Sequence, residues 1–297
     1  MLPSDGMRID AMASAGERQV RRERLTEEVE VSARVGALRS LAQAFRFREL
    51  LWALTVREVK VRYSQTLLGV VWAIAQPISL MLAFWLFFGR LAKVPSDGLP
   101  YPLFYYAGLL PWTFFTTSLA FGVPSLVTNT TLLTRVYFPR ELLPVANVLS
   151  ASVDLAAAAL VYICLMAFYH VPPGSAFLYL PFVLVVQLVL TIGVTLGLAA
   201  LNVSYRDVRY ALPLVSQLWL YATPVIYPLS VVPPRIRGIY LAVNPMAAVV
   251  ESYRRILVSG QSPDGEMLLL AAVAAVAFAA AGYAYFKRAE RHFSDVI

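Results

Sequence analysis

The sequence predicts an all-α integral membrane protein: six transmembrane helices, an N-terminal amphipathic interface helix, and two short re-entrant helices between spans five and six. Three observations predict it. Of 297 residues, 59% are hydrophobic and only 14% are charged, where a soluble chain carries about 25% charged residues. Apolar stretches of about 20 residues recur, each long enough as a helix to cross the roughly 30 Å hydrocarbon core. Basic residues gather between alternate stretches, as they do in cytoplasmic segments of membrane proteins. The net charge of +7 therefore reads as topology and not as nucleic-acid binding.

Residues 1–44 are polar, with Arg18, Arg21, Arg22 and Arg24 followed by Glu27, Glu28 and Glu30. They read as a charged cytosolic tail with no signal-peptide core. Residues 45–63 change character. Arg46, Glu49, Arg57 and Lys60 share one helical face, and Leu50, Leu51, Leu54 and Val61 fall on another. That pattern suits a helix lying against membrane lipids. The transmembrane domain, 64–297, follows at once.

The spans are expected at Thr66–Gly89, Tyr101–Leu126 (kinked or broken near Pro111), Leu142–Phe168, Phe177–Val203, Tyr210–Tyr227 and Met267–Phe286. Residues 228–266 contain Ile236–Val250, apolar but interrupted by Asn244-Pro245. Asn then Pro is a helix start: a side-chain cap followed by a residue with no amide hydrogen to satisfy. Two short helices are expected there, about 233–243 and 245–258, with Glu251 and Arg255 paired one turn apart. Neither is long enough to span. With both termini cytoplasmic, 19 of the 25 Lys and Arg residues lie inside. Were 236–250 a true span, making seven, the basic tail at Lys287, Arg288 and Arg291 would move outside, against the charge rule.

The chain lacks the usual catalytic signatures. It has no His-Glu-x-x-His, no G-x-S-x-G, and none of its three lysines lies in a G-x-x-x-x-G-K-[ST] loop. A self-contained ATPase is excluded by that route. One ionisable residue, Asp154, lies well inside a predicted span. A carboxylate at the centre of a membrane helix costs about 2.5–3.5 kcal/mol. Two readings fit it: a functional intramembrane charge, or a structural one paired with Arg206 or Arg209. Aromatic and short polar residues share helical faces: Trp72, Gln76 and Ser79 in the first span, Tyr105, Trp112 and Thr116 in the second, Tyr210, Pro213, Gln217 and Tyr221 in the fifth. Such faces suit a sugar-polymer path, with rings for pyranose faces and amides for hydroxyls. They equally suit helix packing and interfacial aromatic belts.

Several segments, in order, carry a resemblance over residues 45–297. They are Leu50–Pro77 (LLWALTVREVKVRYSQTLLGVVWAIAQP), Asn129–Pro144 (NTTLLTRVYFPRELLP), Asn202–Val208 (NVSYRDV), Leu218–Pro228 (LWLYATPVIYP), Asn244-Pro245 and the ending Phe293–Ile297. Together they resemble the permease subunit of bacterial ABC exporters for polysaccharides, the group that exports O-antigen, capsule and teichoic acid. The resemblance implies a homodimer of permeases in the bacterial inner membrane, with two copies of a separately encoded ATPase that binds ATP and Mg. No cofactor is implied in this chain. The substrate implied is a lipid-linked polysaccharide. Arg135, Tyr137, Phe138, Pro139, Arg140 and Glu141 would sit against the ATPase as a coupling element. Trp72, Gln76, Tyr105, Trp112, Tyr210, Gln217 and Tyr221 would line the polymer path. The segment with Asn244, Pro245, Glu251, Arg254 and Arg255 would form the outer gate. The same fold suits an ABC permease for a drug or lipid, and a membrane glycosyltransferase or acyltransferase is the remaining alternative.

Overall fold

The computed structural model describes residues 47–64, 71–91, 99–135, 138–291 and 293, with only the backbone given for residues 72, 73, 134 and 135. The charged tail expected at 1–44 lies outside the described residues. The chain divides after Leu50, and the contacts below lie within the unit that begins at Leu51. Every regular element among the described residues is helical.

Nine helices carry the argument: α1 (Arg48–Tyr63), α2 (Val71–Phe84, continued by a π-helical stretch Trp85–Leu91), α3 (Tyr101–Gly122), α4 (Leu142–Phe168), α5 (Leu180–Ser204), α6 (Val208–Ala222), α7 (Pro234–Val243), α8 (Pro245–Leu257) and α9 (Gly265–Glu290). Short helices Ser125–Thr128 and Thr130–Arg135 follow α3. Among the described residues, four helical stretches are long and apolar enough to cross a membrane: Ile74–Leu91, Leu142–Phe168, Ser175–Ser204 and Gly265–Glu290.

Two spans end well short of the expectation. The second span stops at Gly122 and not at Leu126, while Pro111 is carried inside α3 without ending it. The fifth stops at Ala222, and Thr223–Tyr227 is not helical. Pro224 is the cause, because it lacks the amide hydrogen that would continue the ladder and pushes Thr223 to extended backbone.

Many apolar side chains on α4, α5 and α9 point outward, including Leu160, Ile163, Val185, Phe182, Val273 and Val276. In water this surface would drive aggregation; in a bilayer it is the ordinary lipid-facing side. Inside, α5 packs on α9 through small residues. A Cβ on Gly193 would collide with the backbone of Ala279, and one on Gly282 with the carbonyl oxygen of Gly193. Gly197, one turn on, faces Gly282. Small residues four apart let membrane helices approach backbone to backbone, where dispersion replaces the missing hydrophobic drive.

This contact yields a paired prediction. Gly282→Val lowers the melting temperature of the purified chain in detergent and reduces folded yield, because overpacking costs about 1–3 kcal/mol, and more where backbone must move. Gly238→Ala, in α7 with nothing within 4 Å of the added Cβ, leaves the melting temperature unchanged or raises it by the usual helix gain of up to about 1 kcal/mol.

Candidate coupling face and translocation path

At one end of the bundle α1 touches Asn129, and the end of α9 touches Arg140 and Glu141. Arg57 donates through Nη2 to Oδ1 of Asn129 at 2.9 Å, and Asn129 in turn donates to the Ser125 carbonyl at 2.9 Å. Phe138 is buried. Arg140 donates to the backbone oxygen of Glu290 at 3.4 Å, with its guanidinium 5.8 Å from the Phe293 ring centre. Glu141 pairs with Lys287 at 2.9 Å, and Lys287 also bonds Glu290 at 2.9 Å. Phe293 closes the cluster, edge-on to Phe286 at 5.7 Å. The segment Phe138–Glu141 is thus clamped to the end of the last helix. Tyr137 and the Arg135 side chain lie outside the described residues.

Asp154 has a partner that the sequence did not indicate. Its carboxylate accepts from Arg62 and from the Tyr63 hydroxyl, both at the end of α1. Arg62 also donates to Ser150 at 3.0 Å and lies 4.0 Å over the Phe121 ring. Arg206 and Arg209, the partners expected from sequence, are exposed in the loop and at the start of α6. Charged hydrogen bonds offset the desolvation of both groups, and the result ties α1 to α4.

At the other end, α8 is buried over most of its surface. Arg254, 3% exposed, donates to the carbonyls of Phe104 at 3.3 Å, Tyr227 at 3.1 Å and Val225. Its guanidinium lies 3.8 Å from the Phe104 ring centre. Tyr253 donates to Gln187 Oε1 at 2.8 Å, and Gln187 donates to the Pro111 carbonyl at 2.8 Å. Two expectations are corrected here. Glu251 pairs with Arg254 at 3.9 Å, while Arg255 reaches Asp264 at 3.7 Å. A residue three positions on was within reach, and burial of Arg254 decided the choice. Asn244 precedes α8 but its side chain makes no cap. It accepts from Trp219 Nε1 at 3.1 Å and donates to Thr223 Oγ1 at 3.0 Å. Satisfying the broken end of α6 outweighs one free amide at the start of α8. Pro245 occupies the first turn of α8, as its missing hydrogen allows.

The residues chosen for a polymer path fall into two layers. Tyr210 (67% exposed), Gln217 and Tyr221 (50% exposed) stand outward on α6, and Gln76 outward on α2. Tyr105 is fully buried, stacked on Phe84 at 4.8 Å. Trp112 is buried and sits edge-on to Trp219 at 6.3 Å. The Tyr101 ring lies parallel to that of Tyr105, 6.3 Å between centres. Among the described residues the Tyr105 hydroxyl has no hydrogen-bond partner. The Trp72 side chain lies outside the described residues. An aromatic seam thus joins α3 to α6, with Trp219 as the member that periodicity did not single out. Among the described residues, no three His, Cys, Asp or Glu side chains gather as metal ligands would.

Residues 49–258 match the family model described as ABC-2 type transporter. The chain belongs to that family. Among relatives of this ABC-2 chain is the O-antigen export system permease protein RfbA of Myxococcus xanthus, 33% identical over 263 residues, which are 88% of this chain and 100% of the relative. An O-antigen export system permease protein RfbA of Klebsiella pneumoniae is 25% identical over 84% of this chain and 95% of its own. The polysialic acid transport protein KpsM of Escherichia coli is 24% identical over 73% of this chain and 84% of its own. The family match runs from α1 through α8 and ends before α9.

The α1–α4 tie of this ABC-2 chain gives a measurable coupling. A double-mutant cycle with Arg62→Gln and Asp154→Asn, read by thermal unfolding in detergent, shows an interaction of about 1–3 kcal/mol, the range for charged hydrogen bonds. The same cycle with Arg206→Gln and Asp154→Asn shows none.

Proposed function

We propose that this chain is the membrane-spanning permease subunit of an exporter for a lipid-linked or lipid-anchored polysaccharide, driven by ATP hydrolysis in a separate ATPase subunit. The observation that carries the reading is the full-length match to a relative named as an O-antigen export permease, 33% identical and covered over 100% of its length. The E. coli relative, named for polysialic acid transport, favours polymer cargo over a drug or a simple lipid.

Two permeases form a homodimer, and two copies of an ABC ATPase bind ATP and Mg beneath it in the bacterial inner membrane. The chain itself has no catalytic site. Six helices cross the bilayer: α2, α3, α4, α5, α6 and α9, the four most apolar joined by α3 and α6. The contacts of α1 and of the end of α9 with the stretch between α3 and α4 support an even number of crossings and cytoplasmic termini. α7 and α8 dip in from the outer side and return. Such backbone is tolerated at membrane depth only where protein shields it, and the burial of α8 supplies that shield.

Arg135 and Tyr137–Glu141 receive the ATPase. A clamped segment transmits force better than a loose one, and the Glu141–Lys287 pair supplies the clamp. The polymer passes along the exposed face of α6, with Tyr210, Gln217 and Tyr221 in contact and Gln76 of α2 opposite. Trp72, four residues before Gln76 in the sequence, is assigned to the same lining. Tyr105 and Trp112 back this face, and the unpartnered Tyr105 hydroxyl is available to a hydroxyl-rich ligand when the seam opens. Asn244, Pro245, Glu251, Arg254 and Arg255 hold the outer gate, with Arg254 its fixed point.

Two measurements test the reading. In proteoliposomes holding the permease and its ATPase, Arg140→Ala and Glu141→Ala return permease-stimulated ATP hydrolysis to near its basal level while folded yield is kept. Intact stimulation would remove the coupling role. For the path, Tyr210→Ala and Tyr221→Ala slow polymer export without shifting the melting temperature. Trp112→Ala instead destabilises the chain by about 3–5 kcal/mol, the cost of an emptied aromatic site. Unchanged export in both tyrosine variants would leave α6 as packing surface only.

A further inference from the structure

An apolar groove of about 190 Å³ opens on the side of the bundle, lined by Met81, Leu82, Trp85, Pro102, Phe168 and neighbours from α2, α3 and α4. Leu82 and Phe168 stand well exposed along it, Phe168 at 74%. Its lining presents almost no hydrogen-bonding capacity, so a sugar would lose its hydrogen bonds there. A hydrocarbon chain would lose nothing.

The rim is different. Arg90, exposed at the end of the π-helical stretch, holds its guanidinium 4.7 Å over the Trp85 ring, and Trp85 is part of the groove wall. At the end of α4, His170 follows the groove residue Tyr169 and is turned outward by a left-handed backbone, φ 55°. The two helices that flank the groove therefore each end in a basic side chain on the same side of the bundle. Ends of membrane helices lie at the headgroup level, where Arg reaches phosphate.

We propose that this groove is a binding site for an anionic phospholipid, one acyl chain in the groove and the phosphate against Arg90, with His170 on the opposite rim. Charge complementarity selects this occupant. A second copy docked here about a two-fold axis presents the same patch to itself, which brings like charges together at the rim. The proposal rests on the membrane placement of the chain and not on its cargo, so its test needs neither ATPase nor polymer.

The experiment uses the full chain reconstituted in phosphatidylcholine vesicles. Phosphatidylglycerol brominated on its acyl chains quenches tryptophan at contact, and the share due to Trp85 is the difference between the native chain and Trp85→Phe. Half-quenching of Trp85 is expected at a mole fraction about fivefold lower for brominated phosphatidylglycerol than for brominated phosphatidylcholine, since one surface Arg contributes about that factor. Arg90→Gln abolishes the preference, and Arg90→Lys retains most of it. Equal quenching by the two lipids, or an unchanged preference in Arg90→Gln, overturns the proposal. So does the absence of any Trp85 quenching, which would mean that protein covers the groove. Relief of quenching by unlabelled polyprenyl phosphate at lower mole fraction than by unlabelled phosphatidylglycerol also overturns it, by giving the groove to a different lipid.

Discussion

The guanidinium of Arg254 is what allows this chain to stop being a helix in the middle of an apolar bundle. A break such as Thr223–Tyr227 exposes carbonyls that hydrocarbon cannot satisfy. Arg brings five donors in a rigid planar fork, and three of the acceptors it meets are backbone oxygens on α3 and in the break itself. Lysine, with a point charge, would not reach them together. Gly108 leaves the room: a Cβ there would stand 2.9 Å from Arg254 Nη2. The cost of burying the charge is offset by those carbonyls, the Phe104 ring and Glu251. The neighbouring Tyr253–Gln187–Pro111 chain extends the same solution to α5, so one short helix supplies the polar needs of three longer ones.

The two ends of the bundle are built on contrasting physics. Around Arg254 the polar groups are buried and their partners are mostly backbone, which favours a fixed geometry. At the α1 end Arg62, Arg140, Glu141 and Lys287 are half-buried and Arg57 is exposed, and their partners are mostly side chains. Interactions of that kind are weaker singly and easier to exchange. A transporter needs an end that answers to its motor and an end that keeps the barrier. In the proposed function the exchangeable end receives the ATPase and the fixed end holds the outer gate.

Much of the helical layout could be read in the sequence, because the bilayer fixes span length and prolines mark the stops. α4 was expected at the bounds it has, and α7 and α8 within a residue, thanks to Pro233, Pro234 and Asn244-Pro245. Side-chain partners were less legible. Asp154 stood out as costly, yet Arg62 lies far back in the sequence on a helix whose docking no local pattern reveals. Arg206 was nearer in the predicted topology and lost. Helical periodicity put Tyr105 and Trp112 on one face of α3. It could not say whether that face turns inward, since α3 is apolar nearly all round and a strong amphipathic moment is the usual guide. The Gly193–Gly197 spacing with Ala279 and Gly282 was a readable signal that span-counting passed over.

The Gly193–Gly282 contact also has a history in time. α5 enters the membrane long before α9 has been made, and its small-residue face then has no helix to close on. Until the last span arrives, that strip of backbone is open to any other helix in the membrane. A chain cut short before α9 keeps most of its spans but never covers the strip. The last span is thus the one that closes the small-residue face of α5.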